Sequence, residues 1–132
     1  MIFVYLLEDH PEYSSRVEQI WSRMKERDDK LCTSSLTLGE ILVAPYKVGE
    51  RARGEQIEAF FTEFVEVWPF TAETARHYAG LRARFALKPP DTIHLACAAE
   101  ARADVFITND VTLVGKSVPG IHFIVGLDTN LY

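Results

Sequence analysis

Glu40, Asp91 and Asp110 each stand where an apolar segment meets a polar turn. Their settings are Leu36-Thr37-Leu38-Gly39-Glu40-Ile41-Leu42, Pro89-Pro90-Asp91-Thr92-Ile93-His94-Leu95-Ala96 and Val105-Phe106-Ile107-Thr108-Asn109-Asp110. Three carboxylates gathered without compensation repel one another, and a bound cation removes that repulsion. Hard oxygen donors of this kind suit Mg2+ or Mn2+, which keep several waters and bind through a few carboxylates plus a substrate phosphate. One ion orients and acidifies a water while a second stabilises the departing oxygen of an in-line phosphodiester displacement, so the set points to a divalent-metal nuclease.

Asp91 and Asp110 are the expected main ligands, with Glu40 as a further ligand or a water-orienting group. Thr108 and Asn109 offer a hydroxyl and an amide to a ligand water or a phosphate. Each residue also has a local reading. Thr37-x-x-Glu40 has the form of a capping box, Asp91 after two prolines that of an N-cap, and Asp110 in an Asn-Asp turn that of a side chain satisfying backbone donors. His94, beside Leu95 and Ala96, reads as a packed residue with one satisfied nitrogen rather than a general base. His10, His77 and His122 have no mutual spacing that suggests a metal cluster. For nucleic acid, Arg82, Arg84 and Lys88 form one cationic group just ahead of Asp91, and Lys47, Arg51 and Arg53 another. Helices commonly carry such charges as a solvated face.

The elements that position these residues belong to one domain. A chain of 132 residues with 48% apolar content is long enough for one core. A formal net charge of -5 excludes a strongly basic coat for duplex nucleic acid, while leaving room for an acidic metal site with local basic patches. The two cysteines, Cys32 and Cys97, lie far apart in apolar surroundings and suit reduced thiols in a cytoplasmic protein. No apolar run approaches the roughly 20 residues of a membrane span.

Apolar positions Tyr13, Val17, Ile20, Trp21 and Met24 predict an amphipathic helix. A strand is expected at 31–33 and a helix from Thr37 through Val43, ended by Pro45. A second amphipathic helix presents Ile57, Phe60, Phe61 and Phe64. A strand over 65–68 precedes a helix over 71–85, with Ala75, Tyr78, Ala79 and Phe85 at helical spacing. A further helix over 92–103 and strands over 104–108 and 121–125 complete the series. Ile2 to Leu7 is an apolar run that periodicity alone leaves open between strand and helix. Strands separated by helices imply parallel pairing with helices on both faces, a three-layer α/β/α arrangement whose site lies beyond the carboxyl ends of the strands.

The phrases Thr33-Ser34-Ser35-Leu36-Thr37-Leu38-Gly39-Glu40, Pro90-Asp91-Thr92-Ile93-His94-Leu95-Ala96 and Phe106-Ile107-Thr108-Asn109-Asp110, in this order, resemble the PIN-domain family, especially toxin ribonucleases of the VapC type. The resemblance runs over nearly the whole chain. It implies a parallel sheet flanked by helices, Mg2+ or Mn2+ held by a quartet of acids, hydrolysis of RNA, a homodimer and an antitoxin partner. A non-catalytic PIN-like module for dimerisation or RNA binding is the alternative. A phosphatase of another parallel-sheet class is disfavoured, since no Asp-x-Asp pair appears near a strand end.

The chain departs from the family at its start. Ile2-Phe3-Val4-Tyr5-Leu6-Leu7-Glu8 resembles the helix that follows the family's first strand and first acid. The expectation is therefore an earlier reading frame, with a central strand and its Asp upstream of Met1. Leu127-Asp128-Thr129-Asn130-Leu131 repeats the absent phrase at the other end, so that a permuted or strand-swapped arrangement would put Asp128 in the first acid's place. The same stretch also fits an ordinary final strand and polar ending.

Overall fold

Periodic apolar positions decide where the helices form and which face each buries. The structure is a computed structural model that describes Phe3 and residues 13–129. In α1 (Ser14–Arg27), Val17, Ile20 and Met24 make the buried stripe, and the helix stops where Asp28 turns left-handed at φ 58. Strand β1 (Cys32–Ser34) runs straight into α2 (Ser35–Lys47), followed by α3 (Arg51–Phe64), β2 (Glu66–Trp68), α4 (Ala72–Arg84), α5 (Pro89–Glu100), β3 (Val105–Thr108) and β4 (Phe123–Gly126). The helices expected over 71–85 and 92–103 are thus present, the second starting three residues earlier because prolines are well placed in a first turn.

Several local expectations need correction. Helix α2 begins at Ser35, so Thr37 is its third residue and not a cap, and Glu40 does not close a capping box. Pro45 lies inside α2. A proline removes one donor yet keeps a helical φ, and the chain completes its turn before Gly49, at φ 70, ends it. In α3 the buried face is Gly54, Ile57 and Phe61, whereas Phe64 is exposed and meets Trp21 edge-on at 5.7 Å. In α4 the buried stripe is Thr74 and Leu81, with Tyr78 half-buried and Ala75 and Ala79 exposed. Its capping box is formed by Thr71 and Thr74.

All described strand pairing is parallel. Strand β1 pairs with β2 in the register Cys32↔Glu66 to Ser34↔Trp68, and β3 pairs with β4 from Val105↔Phe123 to Thr108↔Gly126. The described strands form these two separate pairs and not one continuous sheet. Helix α5 packs on α4, and also on β1 and α2. Its run Leu95, Ala96, Cys97, Ala98 and Ala99 is buried on nearly every side, and small side chains let neighbouring backbones approach closely. Gly120, at φ 97, is the tightest approach. A Cβ there would lie 2.5 Å from the Ala99 carbonyl oxygen.

The main core joins α5 to Leu81, Leu113, Val118, Ile121 and Ile124. Burial of Leu95 alone contributes about 1.5–3 kcal/mol. A second cluster gathers Phe3, Ile57, Phe61 and Val65, and a third joins Val17, Ile20 and Met24 to Leu127. Phe3 is helical and its ring stands 5.2 Å from that of Phe61. The remainder of the 2–7 segment, His10 and the Asn130-Leu131 end of the repeated phrase lie outside the described residues. Both cysteines are free thiols. Burial, then the nearby Glu66, pushes Cys32 up to about 11, and burial raises Cys97. Among the described residues no helix is long and apolar enough to cross a membrane.

Candidate active site

The direct passage from β1 into α2 sets the position of Glu40. Ser34 ends the strand and is the N-cap of α2, with extended backbone and no side-chain cap bond. Its hydroxyl is engaged elsewhere, 2.6 Å from His94 Nδ1 on α5. Thr37 Oγ1 accepts from Thr33 Oγ1 at 2.9 Å and stands 3.4 Å from the same ring nitrogen. Glu40 then meets the other end of the imidazole, with Oε1 3.2 Å from His94 Nε2. His94 therefore has partners on both nitrogens, where the sequence suggested one, and it joins β1, α2 and α5.

Asp91 is held by the start of α5. Lys88 is the N-cap, and Pro89 and Pro90 occupy the first two helical positions, where a missing N–H costs nothing. Asp91 is the third residue of the helix and not its cap. A carboxylate in a first turn is stabilised by the helix dipole. Asp91 and His94 are three residues apart on the helix, which puts them on one face. Among the described residues the half-buried Asp91 carboxylate makes no hydrogen bond or ion pair.

Asp110 is fixed by the turn after β3. Its Oδ1 accepts from the Thr112 hydroxyl at 2.7 Å and the Thr112 backbone N–H at 2.9 Å, while its own N–H donates to Thr108 Oγ1 at 3.0 Å. Those two Thr112 bonds, with a smaller contribution from the charge of Lys88, hold the Asp110 carboxyl below its ordinary value. Thr108 is buried and Asn109 exposed. Asp128 leaves β4 as Asp110 leaves β3, each two residues past the pair Thr108↔Gly126. A Cβ on Gly126 would come within 2.8 Å of Asp128 Oδ1.

The first turns of α5 thus carry one acid, Asp91, and bond a second, Glu40, through His94. The charge of Lys88, the N-cap of α5, contributes weakly to the lowering of Asp110. The acids do not close into a ready-made cage. Among the described residues no group of three or more His, Cys, Asp or Glu side chains lies together as a metal-ligand set. The chemistry of the donors nevertheless fits a hard dication. The candidates are carboxylates, and Asp91 is half-buried without a cationic partner among the described residues.

The cations separate into two directions. Arg82 turns along α4 to Tyr78, its Nη1 3.1 Å from the phenol oxygen. Arg84 lies over the Phe85 ring at 5.2 Å, and Lys116, from the β3–β4 connection, lies over it at 4.8 Å. Lys116 is more than thirty residues from Arg84 in sequence, and nothing local signals their meeting. Arg51 pairs with Glu55 at 3.1 Å. His77 bonds Glu100 at 2.9 Å, and His122 faces Asp104 at 3.5 Å.

The family profile described as PIN domain matches residues 1–114. Among solved structures, one similar chain is from VapBC2 of Rickettsia felis bound to a DNA fragment from their promoter. It has a TM-score of 0.72 and 18% identity, covering 95% of this chain and 92% of that one. Another is from a toxin-antitoxin complex of Klebsiella pneumoniae, with a TM-score of 0.63, 23% identity and coverage of 91% and 89%. Among curated proteins nothing matches.

Proposed function

The chain belongs to the PIN-domain family, and from that premise we propose that it is a divalent-metal-dependent endoribonuclease, the toxin half of a toxin-antitoxin pair. The observation that supports this reading best is the hub at the start of α5. Asp91 lies in its first turn, His94 one turn on bonds Glu40, and the charge of Lys88, its N-cap, adds a small lowering of the Asp110 carboxyl. Those acids follow β1 and β3 on the chain, at the carboxyl ends where parallel α/β proteins bind ligands.

Asp91, Asp110 and Glu40 would hold Mg2+ or Mn2+, which supplies an acidified water and charge stabilisation at the departing oxygen. The chain's own residues do the rest. Thr112 holds the Asp110 carboxyl below its ordinary value, and His94 restrains Glu40. Thr108 fixes the Asp110 backbone, and Asn109 stands exposed beside it for a ligand water or phosphate. Arg84 and Lys116, which share the Phe85 ring, and Lys88 bind RNA phosphates, with Arg82 turned to Tyr78. The structural relatives come from a VapBC assembly and a toxin-antitoxin complex, which supports an antitoxin protein as partner; a homodimer acting in the cytoplasm completes the proposal.

A second reading, a PIN-like module for RNA binding or dimerisation that does not cut, is favoured by the absence of a three-member ligand group among the described residues. The two separate on one experiment. Purified protein is incubated with single-stranded RNA with and without Mn2+, alongside Asp91→Asn. Cleavage that needs Mn2+ and disappears in the variant is the expected result. RNA binding with no cleavage at any Mn2+ concentration overturns the nuclease and leaves the module.

A further inference from the structure

We propose that His94 is a positioning residue that aims Glu40 at the cation, and that Ser34 fixes the tautomer in which it does so; this rests on the metal-nuclease reading above. The argument begins with what each ring nitrogen faces. Nε2 is 3.2 Å from a carboxylate oxygen, which only accepts, so this nitrogen carries the proton. In the neutral ring Nδ1 is then the acceptor, and the hydroxyl 2.6 Å away on Ser34 donates to it.

Ser34 has reason to hold that role. Its side chain is 3% exposed, and it occupies the N-cap of α2, where a serine hydroxyl ordinarily accepts from the helix's own free N–H groups. Here it makes no such bond, because the oxygen is turned to the imidazole. Thr37, 3.4 Å from the same nitrogen, lies over it from the next turn. The ring is thereby held from β1 and α2 while its own backbone belongs to α5, and rotation of its χ angles would break contacts on both sides.

The consequence falls on Glu40. Oε1 is taken by His94, and Oε2 makes no hydrogen bond among the described residues, so the carboxylate presents one free oxygen in a fixed orientation. A flexible glutamate in a half-exposed place would otherwise sample several rotamers. Hydrogen bonds that orient a metal-binding side chain typically change metal affinity or activity by about 10–100-fold when removed.

The test measures Mn2+ binding to the full chain by isothermal titration calorimetry, and the ring tautomer by 15N NMR of the imidazole in metal-free protein. His94→Ala is expected to weaken Mn2+ binding about 10–100-fold. His94→Gln, whose amide N–H can still donate to Glu40, is expected to recover most of it, and Ser34→Ala to give an intermediate loss. NMR should show the proton on Nε2 in the wild type and a mixture of tautomers in Ser34→Ala. Wild-type Mn2+ affinity in His94→Ala, or a proton on Nδ1 in the wild type, overturns the role of His94 and leaves the nuclease reading standing. No Mn2+ binding by the wild type overturns both. Should His94→Ala fail to fold, the Gln variant and the tautomer measurement decide the matter.

Discussion

Arg16 of α1 donates through Nε to the carbonyl oxygen of Leu127 at 2.7 Å, and its Nη2 reaches the Thr129 carbonyl beyond it. One guanidinium thereby ties α1 to the chain leaving β4, above a core cluster in which Leu127 packs on Val17, Ile20 and Met24. Two charge-assisted bonds in a half-buried place are stronger than ordinary surface pairing. Arg16→Ala is expected to lower unfolding free energy by about 2 kcal/mol, read from urea denaturation. Arg16→Lys should restore only part, since an ammonium cannot match the two-pronged geometry. A loss below the error of the measurement would show that the tie carries no stability.

Gly120 is the least replaceable glycine. At φ 97, with a Cβ position 2.5 Å from the Ala99 carbonyl, alanine meets both backbone strain and a clash with backbone atoms. Gly120→Ala is expected to cost on the order of 2–3 kcal/mol. Gly39→Ala, with open space around its Cβ, serves as the control and should be neutral or stabilising. Equal effects of the two substitutions would contradict this account.

Thr112 lowers the Asp110 pKa mainly through its hydroxyl and backbone N–H. A carboxyl depressed in the folded state contributes stability above its unfolded pKa, and this is lost as pH falls through the folded value. Asp110 starts from an ordinary value of 3.8, so its contribution is present at neutral pH and disappears in strong acid. Thr112→Val removes the hydroxyl donor and keeps the backbone donor. Its Asp110 should titrate at higher pH than in the wild type, measured by carboxyl 13C NMR in metal-free protein. An unchanged titration would assign the depression to other groups.

Arg84 and Lys116 share the Phe85 ring, whereas Arg82 is directed to Tyr78. Arg84→Glu and Lys116→Glu are each expected to weaken binding of single-stranded RNA by about tenfold at low salt, and to reduce the slope of affinity against salt by about one counterion. Arg82→Glu should have the smaller effect. Fluorescence anisotropy across a salt series checks this, and equal losses for all three would mean a diffuse field and not a localised patch.

The spacing of apolar residues was enough to locate the helices, because a stripe at Val17, Ile20 and Met24 states a local periodicity that the backbone must satisfy. Parallel pairing was also legible, since strands alternate with helices along the chain. The candidate acids stand out for local reasons only in part: Asp91 lies in the first turn of α5 and Asp110 follows β3, whereas Glu40 lies inside α2. A capping pattern misleads where tertiary contact outweighs local chemistry. Thr37 and Glu40 have the pattern of a capping box, yet the helix starts earlier and both side chains turn to His94.

What the sequence determined alone was the kind and order of elements and the residue types available at their ends. Tertiary structure decided which of those residues meet: Ser34 and His94 across 60 positions, Glu40 and His94 across 54, and Arg84 and Lys116 over one ring. The reason is physical. A local pattern constrains a few dihedral angles at a time, while contacts between distant side chains depend on how helices and strands settle against a shared core, and each small rotation in that packing redirects every side chain it carries.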